Sequence, residues 1–485
     1  MVAGVAARGC VGVAQNGGVE HLLEELAAVV GAANVLTEHD DRYLLDWRGV
    51  HRGSCLAVVR PGTTKEVAAV VTRCAAARVG IVPQGGNSGL SGGAIPTGPR
   101  SVVVSLERMT RIQAVDVDGA TVTAEAGCTI EALQGAAADA GLLFAPDWGA
   151  RGTATLGGAI ATDAGGINVL RYGNMRAHVL GIEAVLADGQ VWNGLRALRK
   201  DSSGYDLKHL FIGSEGTLGL VTRAVVALHP ATPFHRSALL GLRSLGDLPA
   251  VVAACRRLAP RAMTAIELIP DRGLTRVCQV LTIGRPMTTT RPWYLLVRLA
   301  DAVPVDERLD DLLAGLAASD LIDDAVAAGG PDQEERLWTI RDELPIYRLF
   351  RHQAAAIKND AAVPVGAIPE LVERVETIVG RDAPAGTLAY TFGHAGDGNL
   401  HIAVLPDDDT DPAPFVVARD ALREAIDRAV LSLGGTLSAE HGIGQELLDR
   451  IGPQKPLVEW AMMRSVKHAL DPHDLMNPGK LFPDV

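Results

Sequence analysis

The segment Pro83-Gln84-Gly85-Gly86-Asn87-Ser88-Gly89-Leu90-Ser91-Gly92-Gly93 follows a short β-branched run, Gly80-Ile81-Val82, and is too dense in glycine to continue a strand or open a helix. Successive glycines let backbone N–H groups converge on one point, an anion nest, and Ser88 and Ser91 can add hydroxyl donors. A phosphate group is the natural guest, with a plain flexible loop as the alternative on this segment alone. The pattern is not a P-loop, because no Gly-Lys-Ser/Thr closes it, and it is not a Rossmann fingerprint opening a long helix. A nucleotide held here is held in some other way.

Outward from the loop, CLAVVRP (55–61) and GIVPQGG (80–86) flank a helix-like TKEVAAVVTRCAAARV (64–79), a β–α–β opening. SVVVSL (101–106) and ATVTAEAG (120–127) extend a mixed α/β domain to about residue 230. Helical apolar spacing also marks residues 20–38, and the preceding MVAGVAARGCVGVAQNGG reads as a frayed tail, not a signal peptide. Beyond residue 233, helical stretches such as DERLDDLLAGLAA (306–318) and IPELVERVETIVG (368–380) alternate with strands such as PWYLLVRL and LAYTFGH. The expected architecture is α+β. It has a domain over 20–232, a second with an antiparallel sheet over 233–430, and a segment 431–485 that completes the site and returns to the first.

Composition bounds the function. The 485 residues, 48% hydrophobic with net charge −12, exclude a disordered chain and argue against a general nucleic-acid binder. Six scattered cysteines without C-x-x-C exclude a disulfide framework and an iron–sulfur cluster and suit a reducing cytoplasm. No run is long and apolar enough to span a bilayer.

Two further segments share the loop's texture. Pro146-Asp147-Trp148-Gly149 through Gly152, Gly157-Gly158, Ala161-Thr162 and Gly165-Gly166 keep small residues over twenty positions, as backbone packed on a flat ligand or another segment requires. Gly213-Ser214-Glu215-Gly216-Thr217-Leu218-Gly219-Leu220 precedes the strand-like LVTRAVVAL. PQGGNSGLSGG, ATLGGAIATDAGG and GSEGTLGLVT together resemble the FAD-binding domain of the vanillyl-alcohol oxidase/p-cresol methylhydroxylase class. Arg171-Tyr172-Gly173, VLGIEAVLADGQVW and RKDSSGYDLK (199–208) are most similar to its D-2-hydroxyglutarate dehydrogenase branch. D-lactate dehydrogenase and the glycolate oxidase flavin subunit are relatives.

The resemblance implies that Pro83, Gly85, Gly86, Asn87, Ser88, Gly89, Leu90 and Ser91 take the FAD pyrophosphate. It further implies that Pro146, Asp147, Gly152, Thr155, Gly157, Gly158, Ala161, Thr162, Gly165, Gly166, Glu215, Gly216, Leu220 and Asn477 line the rest of the cofactor. No His or Cys occurs from Ala75 through Gly127, so the FAD is expected to be non-covalent.

In Phe392-Gly393-His394-Ala395-Gly396-Asp397-Gly398-Asn399-Leu400-His401, Asp397-Gly398 signals a two-residue type I′ turn. That turn sets His394 opposite His401, close enough to share a metal or to form a pair of satisfied core histidines. Glu440 in Ser438-Ala439-Glu440-His441-Gly442 can complete a His₂Glu set. The resemblance puts zinc or a similar divalent ion on His394, His401 and Glu440, with His441 as base and Asn399 near the substrate. It implies that Arg341 and Lys358 grip a distal carboxylate. Pro345 and Ala403 depart from that branch, which has a hydroxyl residue and commonly Asn there.

The reading is FAD-dependent oxidation of a D-2-hydroxyacid, D-2-hydroxyglutarate or D-malate first and D-lactate or glycolate second. Electrons pass to electron-transfer flavoprotein, a quinone or a cytochrome. The expected location is cytoplasmic, or peripheral at the inner membrane face, and a homodimer would be ordinary. A His₂Glu zinc hydrolase leaves three glycine-rich segments without a role. A non-catalytic flavin subunit leaves the histidine–carboxylate set without one.

Overall fold

The computed structural model describes residues 11–38, 40–345 and 349–483. Cys10 and the first half of the tail lie outside these residues. The chain divides into two compact units: Met1–Ala164, Asn174–His229 and His441–Val485 form one, Gly165–Gly173 and Pro230–Glu440 the other.

The first unit contains a four-stranded sheet in which Ala57–Val59, Ser101–Ser105 and Gly80–Gln84 run parallel, with Val35–Leu36 antiparallel at one edge. The helix Thr64–Ala76 crosses between the first two parallel strands in sequence. Thr63 caps it by accepting from Glu66 N at 3.2 Å, and Val67, Val70, Val71 and Cys74 bury the stripe that its spacing sets out. A second, five-stranded antiparallel sheet centres on Leu220–Ala227, flanked by Thr121–Glu125 and Val179–Val185.

The N-terminal helix differs from the 20–38 expectation. It spans Val11–Val30 and stops where Gly31 takes a positive φ of 83°, the left-handed exit that glycine enters without a Cβ clash. Residues 32–36 then form a short 3₁₀ turn and an edge strand.

The second unit is built on a seven-stranded, wholly antiparallel sheet. Its central strands are Trp293–Asp301, Met263–Pro270, Thr387–His394 and Asn399–Pro406, and Ile357–Ala362 is one edge. Pro331–Asp342 and Asp271–Leu281 contribute Leu337, Trp338, Leu274 and Val277 to a core shared with Tyr390, Phe392 and Ala403 of the sheet. The five described cysteines are free and buried. Among the described residues, no helix is long and apolar enough to cross a membrane.

Candidate active site: a glycine cradle and a histidine–carboxylate cluster

In the first unit the loop 83–93 and residues 146–164 and 213–220 converge. Gly86 packs on the 153–155 backbone so closely that a Cβ would stand 1.7 Å from Thr153 O, and one on Gly85 would meet Thr155 Oγ1 at 2.1 Å. Glycine is required at both positions by protein packing. Gly89 is different, because a Cβ there meets nothing within 4 Å. Asn87 takes φ 51° and anchors the loop through Nδ2 to Leu45 O at 2.9 Å. Among the described residues, the backbone N–H groups of Gly86 through Gly92 donate to no protein acceptor. Such a row of unspent donors is what a pyrophosphate needs.

Glu215 N donates to Ala161 O at 2.7 Å, and Asn477 Nδ2 donates to Glu215 O at 2.6 Å and to Gly93 O at 3.0 Å. Asn477 is buried and its Oδ1 is left without a partner, an acceptor aimed at something other than protein. These features fit a bound FAD. Thr155 caps Leu156–Thr162 through Gly158 N, and Thr162 Oγ1 returns to Gly158 O. Gly157 has no room for a Cβ against Ala126, nor Gly216 against Pro83. Pro146 O accepts from Gln134, Asp147 pairs with Arg151, and Gly152 faces Glu131. The Leu220 side chain lies in the apolar core.

Glu215 has a second function. Its buried carboxylate accepts from Ile443 N and Gly444 N, both at 2.7 Å, and so fixes the turn that follows His441. Burial pushes its carboxyl up, opposed by those two bonds and by Lys480. Ser91 Oγ holds the same turn through Gly442 O at 3.0 Å.

In the second unit the hairpin register departs from the two-residue turn. His394 pairs with Asn399 and Phe392 with His401, leaving a four-residue loop, Ala395–Gly398. The reason is local. Gly396 N donates to Ile266 O of the neighbouring strand, and Asp397 N and Gly398 N both turn back to His394 O, so the ladder ends at His394–Asn399 and not at Gly396–Asn399. A two-residue shift keeps side chains on the same face. The two imidazoles remain neighbours, with centroids 5.5 Å apart.

Glu440 is set beside them by Asp360, whose Oδ2 accepts Glu440 N at 2.7 Å and whose Oδ1 accepts Asn399 Nδ2 at 2.9 Å. Glu440 Oε1 lies 3.8 Å from His394 Nε2 and accepts Gly166 N at 2.8 Å. Gly165 and Gly166 therefore pack against this carboxylate. One ligand atom from each of His394, His401 and Glu440 lies within 4.8 Å of the others. Two imidazoles and a carboxylate so placed fit a divalent cation of the zinc type.

Two residues not singled out in the sequence complete the cluster, Asp360 and Glu267. Glu267 Oε1 faces His394 Nδ1 at 2.9 Å, and Oε2 accepts from Arg341 Nε at 2.8 Å. Burial would raise the Glu267 carboxyl, but the charges of His394 and Arg341 outweigh it and hold it at about 2. Burial lowers the proton affinity of His394, and the charges of Glu267 and Glu440 more than reverse that. Arg341 Nη2 stands 3.2 Å from His394 Nε2. Lys358 pairs directly with Ala403, on the face that carries His401, and its Nζ reaches Gln353 Oε1 at 3.4 Å. Asn399 is buried with Oδ1 unpaired.

The sequence as a whole matches flavin-linked oxidases. The family of FAD binding domains matches residues 55–194, and that of FAD linked oxidases, C-terminal domain, matches residues 234–481. The fold is that of p-cresol methylhydroxylase, with TM-score 0.74 at 16% identity over 96% of both chains. Alkyldihydroxyacetonephosphate synthase aligns at TM-score 0.70 and 18% identity over 95% of this chain and 86% of its own.

D-2-hydroxyglutarate dehydrogenase of Xanthomonas citri pv. viticola is 38% identical over 94% of this chain and 96% of its own. The mitochondrial D-2-hydroxyglutarate dehydrogenase of Danio rerio is 34% identical over 91% of this chain and 81% of its own. The chain belongs to the D-2-hydroxyglutarate dehydrogenase family of FAD-linked oxidases. Its chemistry is FAD-dependent oxidation of a D-2-hydroxyacid.

Proposed function

We propose that the substrate is a D-2-hydroxyacid bearing a second carboxylate, D-2-hydroxyglutarate first and D-malate second, oxidised to the 2-oxoacid. The observation that carries this reading is the His394–His401–Glu440 cluster sharing one sheet face with Lys358 and bordered by Arg341. A divalent ion held by His394, His401 and Glu440 would supply the Lewis acidity that lowers the pKa of a substrate hydroxyl. Bound FAD supplies the hydride acceptor, non-covalently.

His441, next in sequence to Glu440, takes the hydroxyl proton, and the Glu215-anchored turn behind it limits where that imidazole can go. Asn399 Oδ1 offers a buried acceptor toward the substrate. Lys358 stands two strand residues beyond His401, about 7 Å, and meets the end of a short diacid remote from the cluster. A separate acceptor, of the electron-transfer flavoprotein, quinone or cytochrome kind, completes turnover.

The test is anaerobic bleaching of the flavin by a panel of D- and L-2-hydroxyacids, with and without prior chelation. Bleaching fastest with D-diacids and abolished by chelator is the expected result. Equal bleaching by L-acids, or indifference to chelation, overturns it.

A further inference from the structure

We propose that Glu267 is a positioning residue that fixes the His394 ring and the Arg341 guanidinium together from one buried carboxylate. This rests on the reading of His394 as a metal ligand. All eight residues of the strand Met263–Pro270 are buried, and Glu267, 1% exposed, is its one ionisable side chain. A carboxylate in such a strand must be paired. It pairs twice, with partners far away in sequence: residue 267 lies directly opposite His394 in the antiparallel register, and Arg341 descends from the helix Pro331–Asp342.

The chemistry follows from the two oxygens. An ionised carboxylate only accepts, so Oε1 at 2.9 Å places a ring hydrogen on Nδ1 and leaves Nε2, on the side of Glu440 Oε1, as the nitrogen a cation would take. That is the tautomer a metal ligand needs, and a carboxylate behind a ligating imidazole also raises its basicity. Oε2, at 2.8 Å from Arg341 Nε, sets the plane of the guanidinium and brings Nη2 to 3.2 Å from the same imidazole. Ligand and substrate clamp are thus oriented by one group. A purely structural role, neutralising a buried arginine, makes a different expectation: once the arginine is removed, Glu267 has nothing left to do.

The test compares zinc affinity, by chelator competition with zinc alone, in flavin-loaded wild type, Glu267→Gln, Arg341→Met and the double variant Glu267→Gln/Arg341→Met. Glu267→Gln is expected to bind zinc about 10- to 100-fold more weakly, the usual cost of losing a partner behind a ligand. The double variant removes both buried charges and is expected to keep its flavin. It should still bind zinc at least about 10-fold more weakly than Arg341→Met alone. If Glu267→Gln fails to retain flavin, the double variant decides. Equal zinc affinity in the double variant and Arg341→Met overturns the proposal while leaving the metal reading intact. Failure of wild type to bind zinc overturns both.

Discussion

Replacing Lys358 by Met keeps the apolar stem and removes only the charge, which makes it the sharpest probe of substrate class. Arg341 is a poorer one, because its Nε and Nη2 already lean on Glu267 and His394, and its loss disturbs the ligand set for any substrate. Lys358 Nζ reaches Gln353 Oε1 at 3.4 Å, and its residue lies opposite Ala403 on the face that carries His401. A hydrogen bond to a charged group contributes about 1.5–3 kcal/mol. Losing it from a diacid substrate should lower kcat/KM by roughly 10- to 150-fold. D-lactate, with no second carboxylate, should change less than about threefold on the same scale. The assay is stopped-flow flavin reduction with both acids, on wild type and Lys358→Met. If both acids lose equally, or D-lactate outperforms every diacid in wild type, the diacid assignment is wrong.

Gly86→Val should lower stability by at least about 1–3 kcal/mol and strip the flavin, because its side chain enters the Thr153 backbone. Gly89→Val, with open space around it, should melt like wild type yet lose FAD; flavin absorbance after gel filtration reads both, and full retention in Gly89→Val would remove the loop from the cofactor site. His401→Ala should lose metal on elemental analysis and keep FAD, since the cradle draws on other segments. His441→Asn should bind both and reduce the flavin about 10²–10⁴-fold more slowly, and an unchanged rate would assign the proton elsewhere. Glu446 is held at about 2, chiefly by its 2.6 Å bond to His51 against the opposing effect of burial, with Arg48 adding to it. A depressed carboxyl stabilises the fold above its unfolded value and stops doing so as pH falls through its folded one. The stability gap between wild type and Glu446→Gln should therefore be full at pH 7 and close between about 4.5 and 2; a gap that persists at the acid end contradicts the pairing.

The glycine loop was legible because density of one residue type is a local signal, and so were helices such as Thr64–Ala76, where cap and apolar spacing agree. The hairpin was legible in kind but not in register. Asp-Gly marks a turn, yet the turn's length was decided by Gly396 pairing with Ile266, more than a hundred residues away. Glu267 and Asp360 were missed for the same reason. A carboxylate inside the apolar run MTAIELIP was the available signal, since burial of a charge demands a partner. Its partners, 127 and 74 residues distant, could not be named from the strand itself.

The knot around Asn477 has a consequence for biosynthesis. The sheet strand Gly80–Gln84 is an edge, and its far side is joined by residues made far later: Ile81 N donates to Leu475 O and Asn477 N to Ile81 O. Asn477 reaches Gly93 across 384 positions of chain. At a ribosomal pace of about 5–20 residues per second, that separation is roughly 20–80 s of translation. Throughout this interval the growing polypeptide carries an unpaired β-edge, the kind of surface that invites pairing with another chain. The edge is thus paired, and the loop that follows it tied down, only once the chain has been made through Asn477.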